Sequence, residues 1–219
     1  DTTRVDLSER VRAVADAAVD GVILVHCLGD HRLPVGRADI DWFDKRFHMD
    51  ASVVRFAFLD DLAEAYQVLR DERYAEAARD YLTQYMTAFP PDTLGRHRQF
   101  DSVLQLGIRN SVWCRTLHVF AESAAFDDAF LEWLVSFMGG QLQYLHNHLS
   151  TTINWRVSNA RDLLVGGLYL SFLSSAAAWR RYGVRVLNDA WHRQFLPDGT
   201  HCERIPSYHA NVTETFLYL

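Results

Sequence analysis

The sequence is poor in the features that usually betray a function. Cysteine occurs three times in 219 residues, at Cys27, Cys114 and Cys202. That odd number and wide spacing fit neither a disulfide framework nor a CxxC metal site, so the thiols read as buried or idle. No run of basic residues occurs, and 28 acids against 22 bases give a net charge of −6. The chain therefore lacks the electrostatic footprint of a nucleic-acid binder, while a local cluster of arginines in a cleft still suits a polyanionic substrate. The longest apolar run, Leu163 to Trp179, is shorter than the roughly 20 residues a membrane span needs. Gly166, Gly167, Ser171, Ser174 and Ser175 inside it predict two buried helices meeting at a turn. The opening DTTRVDLSER has neither the basic nor the apolar region of an export signal. GxSxG, HExxH and phosphate-binding glycine loops are absent. His146 and His148 are two apart and cannot share a helix face, and His26, His31 and His48 have no ligand spacing, so no metal or other cofactor is expected.

What is present is helical periodicity in an ordinary globular composition, 49% hydrophobic and 23% charged. Leu59, Leu62, Ala63, Tyr66 and Leu69 form one apolar stripe, and Ala75, Ala78, Leu82, Tyr85, Met86 and Phe89 a second that Pro90 and Pro91 must stop. Further helices are predicted over Ser102 to Glu122, Asp127 to about His148, Val157 to Leu170, Ala176 to Gln194, and from near Ser207 onward. Short connections imply antiparallel hairpins. Residues 1–47 read as an irregular N-terminal segment, turn-rich and polar from Gly29 to Phe47, with VILVH at Val22 to His26 the one short β-like run. The expectation is a single all-α domain over residues 1–219, with helical hairpins from residue 48 arranged as a toroid or solenoid.

Three stretches could carry chemistry. STTINWRVSNARD, Ser150 to Asp162, places polar side chains where one helix ends and the next begins; Ser150, Thr151, Thr152 and Asn154 are equally good N-cap types. QFLPDGTHCERIPSYH, Gln194 to His209, crowds a turn at Asp198-Gly199, Glu203, Arg204, Tyr208 and His209 into sixteen positions; alone, Tyr208 reads as a half-buried aromatic with its hydroxyl on a carbonyl. GIRNSVW, Gly107 to Trp113, sets Arg109 and Asn110 in an apolar helix. A buried arginine needs a partner, either a structural acceptor or an anionic ligand.

Together these segments resemble the N-terminal helical domain of the heparinase II/III family of polysaccharide lyases. The resemblance runs through IDWF (Ile40 to Phe43), LAEAYQVLRDERYAE (Leu62 to Glu76), LGIRNSVW (Leu106 to Trp113), HLSTTINWRVSNARDLLVGGLYL (His148 to Leu170), WRRYG (Trp179 to Gly183) and QFLPDGTHCERIPSYHANV (Gln194 to Val212). The last block, Q-x-x-x-D-G-x-x-x-E followed by S-x-Y-H, is the most specific. The resemblance implies an (α/α) toroid, incomplete here, followed in the family by a C-terminal antiparallel β-sandwich. It implies cleavage of uronic-acid polysaccharides such as heparan sulfate or alginate by β-elimination. Asn154 matches the asparagine that neutralises the uronate carboxylate, and Tyr208 the general acid and base. Their interval of 54 positions agrees with the heparinase III type. Arg109, Asn110, Trp155, Arg156, Glu203, Arg204 and His209 become candidate substrate-binding or supporting residues.

The chemistry explains these residue types. A C5 proton beside a carboxylate is weakly acidic, and hydrogen bonding to that carboxylate stabilises the enolate-like transition state. A tyrosine with a reference pKa near 10 needs neighbouring cations to act as a base, for which Arg109, Arg156, Arg204 and His209 are candidates. A sulfated substrate calls for further arginines, and the pattern offers Arg96, Arg98, Arg109 and Arg156, although salt bridging explains arginines equally well. Trp155 stands where many relatives carry a histidine and is suited to stacking on a sugar. The family draws another histidine from its β-sandwich, so these residues are expected to be a fragment, weakly active or inactive alone. Its partners would be an anionic uronic-acid polysaccharide and that β-sandwich, without nucleic acid or a membrane span. The resemblance favours a periplasmic or secreted location. Two other readings stand beside it: a toroid glycoside hydrolase using Asp198 and Glu203, and a non-catalytic carbohydrate-binding scaffold.

Overall fold

The computed structural model describes residues 7–25, 31–44, 46–47, 51–97 and 100–217. His26, Cys27, His48, Arg98 and Leu219, which enter the sequence argument, lie outside them.

The segment expected to be irregular begins with a helix, α1, Glu9–Val19. The Ser8 hydroxyl accepts from Val11 N at 3.2 Å, capping a face of Val11, Val14, Ala15 and Ala18 that is fully buried. A hairpin follows, β1 (Val22–Val25) pairing antiparallel with β2 (His31–Pro34) in the register Val22 to Pro34 and Val25 to His31. The β-like run is thus a strand whose partner comes from the polar stretch, a pairing no local pattern reveals. After a short α2 (Ala51–Val54), long helices succeed one another: α3 (Phe58–Leu69), α4 (Glu72–Ala88), α5 (Val103–Phe120), α6 (Asp128–Asn147), α7 (Ile153–Tyr169), α8 (Ala176–Gln194) and α9 (Pro206–Leu217).

Their boundaries have local causes. Asp71, Ser102 and Asp127 accept from main-chain N–H groups in the first turns of α4, α5 and α6. Arg70, in the left-handed region at φ 54°, closes α3, and Pro90-Pro91 follow the end of α4. α7 starts four residues earlier than the expected Val157, because Thr152 is already extended and its carbonyl accepts from Arg156 N at 2.8 Å. Asn154, Trp155 and Arg156 therefore occupy its first turn.

The odd-numbered helices pack in succession, α1 on α3, α3 on α5, α5 on α7 and α7 on α9, while α4 packs on α3, α6 on α5 and α8 on α7 as a second layer. This two-layered arc is the helical toroid that the sequence led us to expect. Helices α7 and α8 approach closely at Gly183, where an added Cβ would lie 2.6 Å from the Ala160 carbonyl. The main core holds an aromatic cluster in which Trp42, from the IDWF motif, meets Tyr85 edge-on at 5.3 Å, and Phe56 meets Trp113 likewise at 5.3 Å. A second apolar cluster, Val157, Ala160, Val186, Leu187, Ala190 and Val212, joins α7, α8 and α9. Among the described residues no helix is long and apolar enough to cross a membrane.

Candidate active site

A helix buried on one side and facing a cleft on the other must present residues there at intervals of three and four. Three helices of the inner layer do so around one cleft of about 530 Å³. Helix α5 offers Leu104 and Ile108, α7 offers Asn154, Ser158 and Arg161, and α9 offers Tyr208, Asn211 and Thr215; Trp155, Arg55 and Glu214 complete the wall with Val212. Asn154 and Tyr208, 54 positions apart in sequence, thus line the same cleft from different helices.

Asn154 sits in the first turn of α7, where main-chain N–H groups lack intrahelical acceptors. Its Oδ1 accepts from Trp155 N at 2.7 Å, which turns its Nδ2, the donor end, to other partners. The Thr152 side chain does not cap this helix, and Thr152 N donates to Ser150 Oγ at 3.0 Å instead. The turn is held from beneath by Asn159, whose Oδ1 accepts from Ser150 N at 3.2 Å while its Nδ2 donates to Val103 O at 2.8 Å. Trp155 is 40% exposed and Tyr208 37% exposed, so both present ring surface to the cleft.

Arg161, which the sequence argument gave no role, is a cation lining this cleft and is anchored on a buried carboxylate. Its Nε and Nη2 donate to Asp162 Oδ1 at 3.0 and 2.7 Å. Asp162 is fully buried and also accepts from Ser111 Oγ on α5 at 2.8 Å. The second cation, Arg55, donates through Nε to Gln105 Oε1 at 2.6 Å. The positions one and two turns beyond Asn154, namely Ser158 and Arg161, could have been found from helical phase alone.

The remaining candidates are placed elsewhere. Arg109 and Asn110, expected to touch substrate, are only 0% and 1% exposed. Arg109 Nη1 donates to Val54 O and Phe100 O, both at 3.1 Å, and its guanidinium lies 4.7 Å over the Tyr85 ring. Asn110 Nδ2 donates to Leu106 O and to Gln141 Oε1, both at 2.8 Å. These two are core supports. Burial pushes the Asp101 carboxyl above its ordinary range, and the nearby Arg109 cation opposes that rise. Arg156 turns back to Ser150 O at 3.5 Å, and Arg96 is exposed and does not line the cleft.

The Gln194 to His209 stretch folds as a tight loop. Phe195 bridges His201, Gly199 takes φ +83°, and Asp198 Oδ1 accepts from Thr200 N at 3.0 Å and from Thr200 Oγ1 at 2.7 Å. Arg204 and His209 line a neighbouring cavity of about 460 Å³ on the other side of this loop. Glu203 turns inward, its Oε2 3.7 Å from Nδ1 of the buried His201. Of the residues first singled out, Asn154, Trp155 and Tyr208 meet in the main cleft, while Glu203, Arg204 and His209 build the loop that brings Tyr208 there. Among the described residues no three His, Cys, Asp or Glu side chains group closely enough to hold a metal ion.

An arc of helix hairpins with a polar cleft across its inner helices defines the helical-toroid class. Within that class the chain belongs to the family described as Heparinase II/III N-terminus, which matches residues 1–219. A curated heparin-sulfate lyase of Pedobacter heparinus is 29% identical over 160 residues, covering 71% of this chain and 24% of that protein. The crystal structure of heparan sulfate lyase HepC from Pedobacter heparinus superposes with a TM-score of 0.83 at 25% identity, over 98% of this chain and 34% of that one. A crystal structure of heparinase III gives a TM-score of 0.87 at 23% identity, over 98% of this chain and 34% of that one, a likeness of fold. The chain therefore spans about a third of the length of these solved structures and a quarter of the curated relative.

Proposed function

We propose that this chain is the helical part of the catalytic apparatus of a uronate-polysaccharide lyase, with a heparan-sulfate-like polymer as the first substrate to test. The observation that carries this reading is the meeting of Asn154 and Tyr208 in one cleft beside Arg161. In the reaction a base removes the C5 proton of a uronate, the electron pair forms the C4–C5 double bond, and the C4–O4 bond breaks as the leaving oxygen takes up a proton. Asn154 Nδ2 donates to the uronate carboxylate and stabilises the charge that builds on it. The first-turn amides of α7 add positive potential at the same place. Tyr208, lining the same cleft as Arg161 and Arg55, accepts the C5 proton as base and returns a proton to O4 as acid, which a single residue can do when both groups lie on one face of the sugar.

Arg161, its fork steadied by Asp162, binds a carboxylate or sulfate of a flanking sugar. Trp155 stacks on a ring. The relatives, a heparin-sulfate lyase and a heparan sulfate lyase, favour heparan sulfate over alginate as substrate. A glycoside hydrolase would need two carboxylates flanking the bond. Among the described residues Glu214 is the one acid lining the main cleft, Asp198 is engaged in the loop turn and Glu203 faces His201, so the lyase reading is the better supported.

The experiment incubates the intact protein with heparan sulfate, heparin, alginate and hyaluronan and follows the ultraviolet absorbance of the unsaturated uronate, with mass spectrometry of the products. Products lighter by one water than hydrolytic ones support elimination. Hydrolytic products, or no cleavage of any uronate polymer, would sink it.

A further inference from the structure

We infer that Gln194 and His201, to which no part of the chemistry above assigns a role, are positioning residues that set the distance and angle between Asn154 and Tyr208. The inference rests on the lyase reading. The two candidate catalytic residues belong to different helices, α7 and α9, and the chain between them passes through the outer helix α8 and an eleven-residue loop, 195–205. Something must fix the start of α9 against the start of α7, and a continuous series of hydrogen bonds does so.

Gln194, the last residue of α8, donates from Nε2 to the carbonyl of Ile153 at 3.2 Å, the residue immediately before Asn154. Because a carbonyl can only accept, this bond fixes which end of the amide faces α7 and directs Oε1 toward His201. Oε1 lies 3.0 Å from His201 Nε2, so the imidazole must carry its proton there. Its Nδ1 then has a lone pair and accepts from Glu203 N at 3.4 Å. The Gln194 contact sets the Nε2–H tautomer and the Glu203 N–H agrees with it, while the Glu203 carboxylate stands farther off at 3.7 Å from Nδ1. The main-chain N–H of His201 donates to Nδ1 of His209 at 3.3 Å, and His209 directly follows Tyr208. Cys202 N donates to Gln194 O at 2.7 Å, closing the same loop onto the end of α8.

The series runs from Ile153 to Gln194, to His201, to His209, and ends one residue from each member of the candidate catalytic pair. His201 is 0% exposed and Gln194 8%, so water competes little for these partners. An apolar pair of the same volume would bury the same area without fixing the direction of either helix end. In a site where a misplacement of about 1 Å can lower the rate a hundredfold, that direction is functional. Burial also holds the His201 imidazole below its ordinary pKa, in keeping with the neutral form the geometry requires.

The test compares Gln194→Met, His201→Leu and His201→Gln with the unmodified intact protein. A glutamine at 201 keeps an N–H donor for Gln194, whereas leucine does not. Expected are a fall in kcat of about tenfold to a hundredfold for Gln194→Met and His201→Leu with KM within about twofold, and recovery of most of kcat in His201→Gln. All three should melt within a few degrees of the parent, followed by circular dichroism. Nitrogen-15 spectra of the histidine rings should place the His201 proton on Nε2 in the parent, a reading that does not depend on activity. Unchanged kcat in folded Gln194→Met, a His201→Gln variant as impaired as His201→Leu, or an Nδ1–H tautomer would overturn the inference. A parent that shows the Nε2–H tautomer yet cleaves no uronate polymer would instead refute the lyase reading, and the positioning role with it, leaving the hydrogen-bond series as architecture alone.

Discussion

Gly107 on α5 faces the carboxylate of Asp162 on α7 so closely that a methyl group added to it would press on Oδ2 and stand 3.1 Å from Cγ. The same carboxylate receives Ser111 from α5 and anchors Arg161 at the edge of the cleft. The closeness of α5 and α7 and the fixing of the cleft arginine are therefore one arrangement. Gly107→Ala should destabilise the protein by about 2–3 kcal/mol through overpacking, measured by urea denaturation, and should raise KM for a sulfated polymer before it lowers kcat. Stability within a few tenths of a kcal/mol of the parent would show that Asp162 has room to move.

Arg109 behaves as a core strut. Replacing it by alanine removes the donors to Val54 O and Phe100 O and leaves both carbonyls without that partner, a loss of about 1–3 kcal/mol for each acceptor left unsatisfied. Arg109→Lys should recover only part of this, because an ammonium cannot reproduce the planar fork over Tyr85. Chemical denaturation checks both. Full stability with a raised KM would return Arg109 to substrate binding.

In the cleft, Tyr208→Phe should lower kcat of the intact protein by about 10²–10⁴, the usual range for a proton-transfer residue. Asn154→Ala should cost about 10²–10³, as does loss of one oxyanion donor. Arg161→Lys keeps the charge and the pairing with Asp162 but loses the fork, so KM should rise about fivefold to tenfold with kcat nearly constant. Initial-rate assays of product absorbance separate these patterns.

The buried His201 predicts a pH dependence of stability. Burial pushes its pKa below the ordinary value, Glu203 opposes this and His209 reinforces it. Below about pH 6.5 the unfolded chain takes up a proton that the folded protein refuses, so the unfolded state binds more protons and stability falls as the pH falls. The loss begins near the unfolded value and levels off once the folded pKa is passed. Thermal melts from pH 7.5 down to pH 5 should show this slope, and His201→Gln should flatten it. An equal slope in both proteins would assign the dependence to other groups.

Cys114 lies within α5, and burial pushes its thiol pKa up to about 12. Cys202 sits in the half-buried loop before α9. Under native conditions at pH 8, iodoacetamide should modify Cys202 well before Cys114, as mass spectrometry of the digested protein would reveal. Equal rates would mean that α5 opens readily.

How much of this was legible in the sequence differs from residue to residue. The α8 span Ala176–Gln194 coincides with its expected bounds, because a periodic apolar face and a Pro197-Asp198-Gly199 turn are local signals. Helix α1 lies in the stretch expected to be irregular, although Ser8 and the Val11, Val14, Ala15 and Ala18 face carry the same kind of local signal. Strand β2 could not have been found that way, since HRLP becomes a strand only by pairing with VILV. Asn154 and Tyr208 were legible through motif resemblance, and Ser158 and Arg161 follow from them by helical phase. Arg109 was not legible: a lone arginine in an apolar helix fits a ligand or a buried acceptor equally well, and its acceptors are the carbonyls of Val54, 55 positions away, and Phe100.

The sequence by itself determined the helical hairpins, their caps and the family likeness, because periodicity, capping and turn chemistry act over a few residues and are written in the order of the chain. Only the tertiary structure decided that α5, α7 and α9 would turn one stripe each toward a common cleft, that Arg109 would face inward, and that Gln194 and His201 would link Ile153 to His209. Those outcomes depend on which distant carbonyl or carboxylate meets each buried polar group. The cost of leaving such a group unpaired is settled only when the helices pack.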